Sequence, residues 1–186
     1  GRGRLASLHT LQETALGRHD EALDHWLRAH HLADAPRLAE QLQVEPGWET
    51  AVEAALADWL DAVCVPELDR PALAVAALGA GRLTLLEPSP DAPPSESETA
   101  ALAAQVRAPW PLTDLLGGVR VAANLTEALT QRTDLREGET IVTPEGICCG
   151  RRWLRLARGD DGGVLARERE IRQMEAALAG DAATLE

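Results

Sequence analysis

The stretch Arg37-Leu-Ala-Glu-Gln-Leu-Gln-Val-Glu-Pro-Gly-Trp-Glu-Thr-Ala-Val-Glu-Ala-Ala-Leu-Ala-Asp-Trp-Leu-Asp-Ala-Val-Cys-Val65 decides the reading of this chain. Its order is an extended segment, a turn, a helix and a strand. Pro46-Gly47 is a turn dipeptide. Trp48, Val52, Ala55, Leu56 and Trp59 recur at helical spacing, which gives the segment after the turn one apolar face. Ala62-Val-Cys-Val65 is a short apolar run of the kind found in buried strands. The segment holds no nucleophile–base pair, phosphate loop or metal-ligand spacing, so its residues are suited to packing.

Working outward, helix and strand patterns alternate on both sides. Before the stretch lies a helix over 22–31. After it come a helix near 71–78 and a strand over 83–86. Glu87-Pro-Ser-Pro-Asp-Ala-Pro-Pro-Ser-Glu-Ser-Glu98 has the composition of a linker. The alternation resumes with helices near 100–106 and 112–116, a strand over 119–122, a helix over 125–131, a strand over 140–143 and strand-like pieces to Leu156. This predicts a mixed α/β chain. Its parts are an incoming helix over 1–20, a first lobe over 21–86, a linker over 87–98, a second lobe over 99–158 and an outgoing helix over 159–186.

The two ends have a different pattern. Leu5, Leu8, Leu11 and Ala15 form a helical stripe, and Val164, Ile171 and Leu178 are spaced by seven with Met174 between them. Arg167, Glu168, Arg169 and Glu170 fill the outward positions of that second pattern. Each stripe is short, and a solitary helix of this length is marginal in water, so the two ends are expected to pack on something.

Composition narrows the function classes. The net charge is −12, and all 18 basic residues are Arg. So acidic a chain does not bind polyanions over its whole surface, and any nucleic-acid contact requires a local basic patch. Arg151-Arg-Trp-Leu-Arg-Leu-Ala-Arg158 is such a reversal, with four arginines and no acid. Two readings are open for it. The arginines contact phosphate while Trp153 stacks on a base, or they pair with the chain's own carboxylates while Trp153 is core. No apolar run reaches the length of a membrane span. Three cysteines, two of them adjacent, do not make a disulfide framework, and a reducing cytoplasm is the expected compartment. The first residue is Gly1 and the only Met is Met174, which suggests a piece of a longer protein.

Other signals carry little chemistry. Gly79-Ala-Gly81 precedes a strand, whereas a dinucleotide loop follows one, so a helix end is the better reading. His25, His30 and His31 do not stack on one helix face as ligands spaced by four would. Cys148 and Cys149 point to opposite faces of a strand and read as small apolar fillers.

With these residues in view, the chain resembles the hinge domain of bacterial SMC chromosome-segregation and condensation ATPases. Val44–Leu56 followed by Leu60-Asp-Ala-Val-Cys-Val65 is similar to the first half of that hinge. Asp114-Leu-Leu-Gly-Gly-Val-Arg-Val-Ala-Ala-Asn-Leu-Thr-Glu-Ala-Leu129 and Ile141-Val-Thr-Pro-Glu-Gly146 are similar to the second half. The resemblance implies two small α/β lobes, with the terminal helices as stubs of one antiparallel coiled-coil arm. It implies a homodimerisation module that is not itself an enzyme. Edge strands of the two lobes would meet across the dimer, through Ala62, Val63, Cys64, Val65, Gly146, Cys148 and Gly150. It also implies at most weak DNA binding near the arm, at Arg151, Arg152, Arg155 and Arg158. No cofactor or metal is expected here. ATP and Mg²⁺, and kleisin-type partners, would belong to head domains outside this sequence, and the whole protein would be cytoplasmic and nucleoid-associated. A small ligand-binding or regulatory α/β domain is the alternative.

Overall fold

In the computed structural model the described residues are 1–18, 20–89, 101–156 and 163–184, with side chains to residue 181. In chain order the first elements are helices α1 (Arg2–Ala15), α2 (Glu21–Ala29) and α3 (Leu38–Gln41) and strand β1 (Gln43–Val44). They are followed by α4 (Glu49–Leu56), β2 (Val63–Cys64), α5 (Asp69–Leu73) and β3 (Leu85–Leu86). Then come β4 (Val106–Arg107), α6 (Thr113–Leu116), β5 (Val119–Val121), α7 (Leu125–Gln131), β6 (Thr140–Val142), β7 (Ile147–Cys149), β8 (Leu154–Leu156) and α8 (Gly163–Thr184). The chain forms two compact units. One contains residues 1–40, 61–87 and 164–186, and the other contains 41–60 and 88–163.

In the first unit, α2 starts because the Asp20 carboxylate accepts the Ala22 and Leu23 N–H groups, satisfying donors that no helix can pair internally. Its apolar face buries Leu23, Trp26 and Leu27 against Val63 and Val65. The Trp26 indole donates to the Ala74 carbonyl at 3.1 Å and lies 4.3 Å from the His30 ring, centroid to centroid. His30 is thereby part of the packing. β2 has neighbours on both sides. β3 runs parallel to it, Val63 opposite Leu85. On the other edge Leu38 N–H donates to Ala62 and Cys64 N–H to Pro36. The strand is central and its residues are buried, which explains the unbroken apolar run.

α1 and α8 pack together in this unit. Leu8 and Leu16 of the incoming segment are buried, as are Leu165 and Ile171 of the outgoing helix. Arg4 pairs with Glu170 and His9 with Glu175. The stripe differs from the predicted one: Gln12 is buried, and Leu11 and Ala15 are exposed. A buried glutamine breaks an apolar pattern although it occupies a core position. Arg167 and Glu168 are likewise turned toward Gln12 instead of outward.

The second unit is built on the sheet β5-β6-β7-β8, in which β5 and β6 are parallel and the other pairs antiparallel. β1 and β4 form a separate antiparallel pair. The register places Ile141, Cys149 and Leu154 on one face and Val142, Cys148 and Arg155 on the other. α7 covers the first face through Ala128, beside Leu135 and Ala122. α4 packs on the second, with Ala51, Val52, Ala54 and Leu56 buried. Adjacent cysteines on opposite faces are therefore both buried, because each face has its own helix. Burying Val52 and Leu56 contributes about 1.5–3 kcal/mol each.

Three expectations change. Residues 38–41 are a helical turn, with only Gln43–Val44 extended, because the Glu40 carboxylate takes the Arg37 N–H and closes the turn. The helix after Pro46-Gly47 stops at Leu56. Ala57 then has φ 44°, and Trp59 is exposed instead of continuing the apolar face. Residues 41–60, placed by sequence in the first lobe, cluster with the second unit, since α4 belongs to its sheet. Most of the expected 87–98 linker lies outside the described residues.

Candidate interaction site

β8 is an end strand of the four-stranded sheet, and among the described residues it pairs only with β7. Its residues Leu154 and Leu156 are 50% and 48% exposed, and Trp153 beside them is 48% exposed. They share the face of Ile147 and Cys149 but lie beyond the cover of α7. An exposed apolar edge strand is a template for pairing and is rarely left open in a soluble protein. These leucines escaped the sequence reading because Arg-Arg-Trp-Leu-Arg-Leu reads first as a charge run. Its Leu-Arg-Leu alternation was the available signal.

The hairpin joining β7 to β8 places the arginines. Gly150 N–H donates to the Trp153 carbonyl at 3.0 Å, so Arg151 and Arg152 form a two-residue tip. Neither has positive φ, so the turn is not of the primed type that suits a tight hairpin. It is braced from outside: Arg132 donates to the Arg151 carbonyl, and Arg151 Nη2 to the Thr133 carbonyl at 3.4 Å. Arg155 points to the other face and donates to Ala54 at 3.0 Å, at the end of α4. Its guanidinium lies 6.0 Å from the Trp153 ring centre. Among the described residues these hydrogen bonds of Arg151 and Arg155 go to carbonyls, and Arg155 also faces the Cys148 thiol, where it opposes the effect of burial. Arg152 is exposed at the tip. Arg158 lies outside the described residues.

The two glycines have intrachain reasons. Gly146 has φ +88°, the left-handed value that the turn from β6 to β7 needs; its N–H donates to Thr143 at 3.0 Å. A Cβ on Gly150 would enter the Trp153 indole, 2.6 Å from Cε2. Trp153 therefore lies across Gly150 with its other side exposed, and is neither core nor a free platform. Ala62, Val63, Cys64, Val65, Gly146, Cys148 and Gly150 are all buried within one copy of the chain. The side chains among them pack within one copy, and the dimer contact that the resemblance implies for these residues stays a proposal.

Burial pushes the Cys64 thiol up to about 11, with Glu40 adding to the effect and Arg37 opposing it. Burial also raises the Cys148 and Cys149 thiols. No thiol here has the lowered value of a nucleophile. Among the described residues no group of three or more His, Cys, Asp or Glu is placed to hold a metal. An open hollow of about 710 Å³ over residues 101–113 is lined by Val106, Pro109, Trp110 and Leu112, and among its described lining residues Arg107 is the one titratable group. No helix among the described residues is long and apolar enough to cross a membrane.

The fold is a mixed α/β domain of two units, with its terminal helices packed together and apolar residues exposed on the end strand β8. A model of the family "SMC proteins Flexible Hinge Domain" matches residues 32–132, more than half of the chain. The chain belongs to that SMC hinge family. It is 36% identical over 178 residues to the chromosome partition protein Smc of Coxiella burnetii, covering 94% of this chain and 15% of that protein. It is 40% identical over 175 residues to the Smc of Methylococcus capsulatus, covering 92% and 15%. The chain thus spans about 15% of the length of these relatives. In fold it is similar to the Geobacillus stearothermophilus SMC hinge domain, solved as an asymmetric dimer. There the TM-score is 0.71 at 22% identity, over 98% of this chain and 82% of that one. The Pyrococcus furiosus Smc hinge with an extended coiled coil gives 0.58 at 20% identity, over 99% and 71%.

Proposed function

We propose that this chain is a homodimerisation hinge that joins the two coiled-coil arms of a chromosome-partitioning SMC protein, and that it has no catalytic activity of its own. The observation that carries this reading is the end strand β8, with Leu154, Leu156 and Trp153 half exposed. β3 is the end strand of its pair in the first unit and supplies a second edge. Acids flank that edge at Glu67, Asp69 and Glu87, and arginines flank β8. Edge meeting edge between two copies would cover apolar surface and match charge. ATP hydrolysis, kleisin binding and placement on the nucleoid belong to the longer protein in this reading. The test is the solution mass of the chain at tens of micromolar. A dimer is expected, and a monomer there would overturn the reading.

A second role rests on the hairpin tip. Weak, sequence-independent DNA binding at Arg151, Arg152, Arg155 and Arg158 is favoured by four arginines with no acid between them in the sequence, and opposed by the net −12.

A further inference from the structure

We propose that Gln12 sets the axial register of the two terminal helices, and that Glu40 fastens that register to the central strand of the first unit. Gln12 is 4% exposed and takes the core position between Leu8 and Leu16. Its amide is fully used. Nε2 donates to the Val164 carbonyl at 2.9 Å and to Glu168 at 3.0 Å, and Oε1 accepts from Arg167 Nε at 3.2 Å. All three partners lie in the first turns of α8. An apolar side chain would pack against α8 at several axial positions, because burial is non-directional. Three directional bonds fit one position only. A slip of one turn, about 5.4 Å, would strand a buried donor and acceptor together. A single buried polar side chain specifying helix register is a known physical device.

The lock continues into the unit. Glu168 also holds Arg172 at 3.4 Å, and Arg172 donates to the Glu40 carbonyl at 2.5 Å. The Glu40 carboxylate takes Arg18, just beyond α1, at 2.7 Å on both oxygens, and the Arg37 N–H at 2.7 Å. Glu40 thus contacts both terminal segments. Arg37, itself 4% exposed, passes the connection on by donating to the Asp61 carbonyl at 3.1 Å, two residues before β2. Arg82 closes on the Asp61 carboxylate at 3.0 Å. The path runs from α8 through Gln12 and Glu40 to β2, and every member lies in the first unit. It holds for the helix pair whatever the second copy does.

The experiment places nitroxide labels at Leu11→Cys and Gln173→Cys, both exposed positions, on the full chain. The three native cysteines are buried, so labelling favours the introduced pair. The parent should give one narrow distance population. Gln12→Leu, and Gln12→Met as a second apolar variant, should keep helix content and midpoint while the distribution splits or at least doubles in width, with new populations displaced by about one turn. Glu40→Gln should leave the distances centred as in the parent and speed amide exchange at Cys64 and Val65 about tenfold. An unchanged narrow distribution in both Gln12 variants would overturn the proposal. So would unfolding in both, because it would make Gln12 a determinant of stability and not of register. Unchanged β2 exchange in Glu40→Gln would remove the fastening.

Discussion

Gly150→Ala separates an intrachain need for this glycine from a need across a dimer. The added Cβ would stand 2.6 Å from Trp153 Cε2 and 3.1 Å from Cδ1, against roughly 3.5–4.0 Å for an ordinary carbon contact. The ring must retreat by about an ångström, and since Trp153 is half exposed it can do so by swinging into solvent. Gly150 does not have positive φ, so alanine adds no backbone strain. Of an indole surface of about 250 Å², roughly half rests on the protein, and at about 25 cal/mol per Å² its complete loss would cost about 3 kcal/mol. A ring that keeps part of its contact loses about 1–2 kcal/mol. The Arg155 contact, at the outer limit of cation–π range, adds about 0.5 kcal/mol at most. For a chain of this size the expected fall in Tm is about 3–8 °C. Urea unfolding of Gly150→Ala, Trp153→Ala and the double variant provides the assay. Once Trp153 is gone, Gly150→Ala should be neutral to within about 0.5 kcal/mol. An equal loss in both backgrounds would refute the indole argument and return Gly150 to a role outside the chain.

The raised Cys64 value fixes a pH dependence. The folded thiol stays protonated to about 11 while the unfolded one ionises near the ordinary thiol value of 9.0. The stabilisation is full below pH 9 and is lost as pH rises to about 11, at up to about 1.4 kcal/mol per pH unit. Chemical unfolding at pH 8, 9, 10 and 11 should show that decline reduced in Cys64→Ala, and an identical decline would refute it. For DNA, the parent should bind fluorescent single strands weakly, with a log–log salt slope no steeper than roughly −3 for four arginines. Arg151→Glu/Arg152→Glu should abolish binding, and unchanged binding in that folded variant would show the hairpin tip to be structural.

What was legible in the sequence follows from element length and from the kind of side chain that fills a core. The run around Val52 and Leu56 and the Ala62–Val65 strand were readable because apolar residues recur with one clear period. Residues 38–41 were not, since Leu38, Ala39 and Leu42 fit an extended piece or a turn equally well, and a side chain–backbone bond from Glu40 decides. Gln12 was missed because a satisfied buried amide looks like a surface residue. Leu154 and Leu156 were hidden by their arginine neighbours. Burial is similarly ambiguous at the expected interface residues. Ala62–Val65 is apolar because it is the middle of a sheet within one chain, and burial alone does not tell which copy provides the cover.

The most direct test of the central claim is sedimentation equilibrium of the parent beside Leu154→Asp/Leu156→Asp. Both positions are about half exposed in the single chain, so the variant should fold with an unchanged far-ultraviolet spectrum. The parent should sediment at twice 19.9 kDa and the variant at 19.9 kDa across the same micromolar range. A parent that is monomeric, or a folded variant that remains as dimeric as the parent, would contradict the assignment of β8 as the edge through which two copies associate.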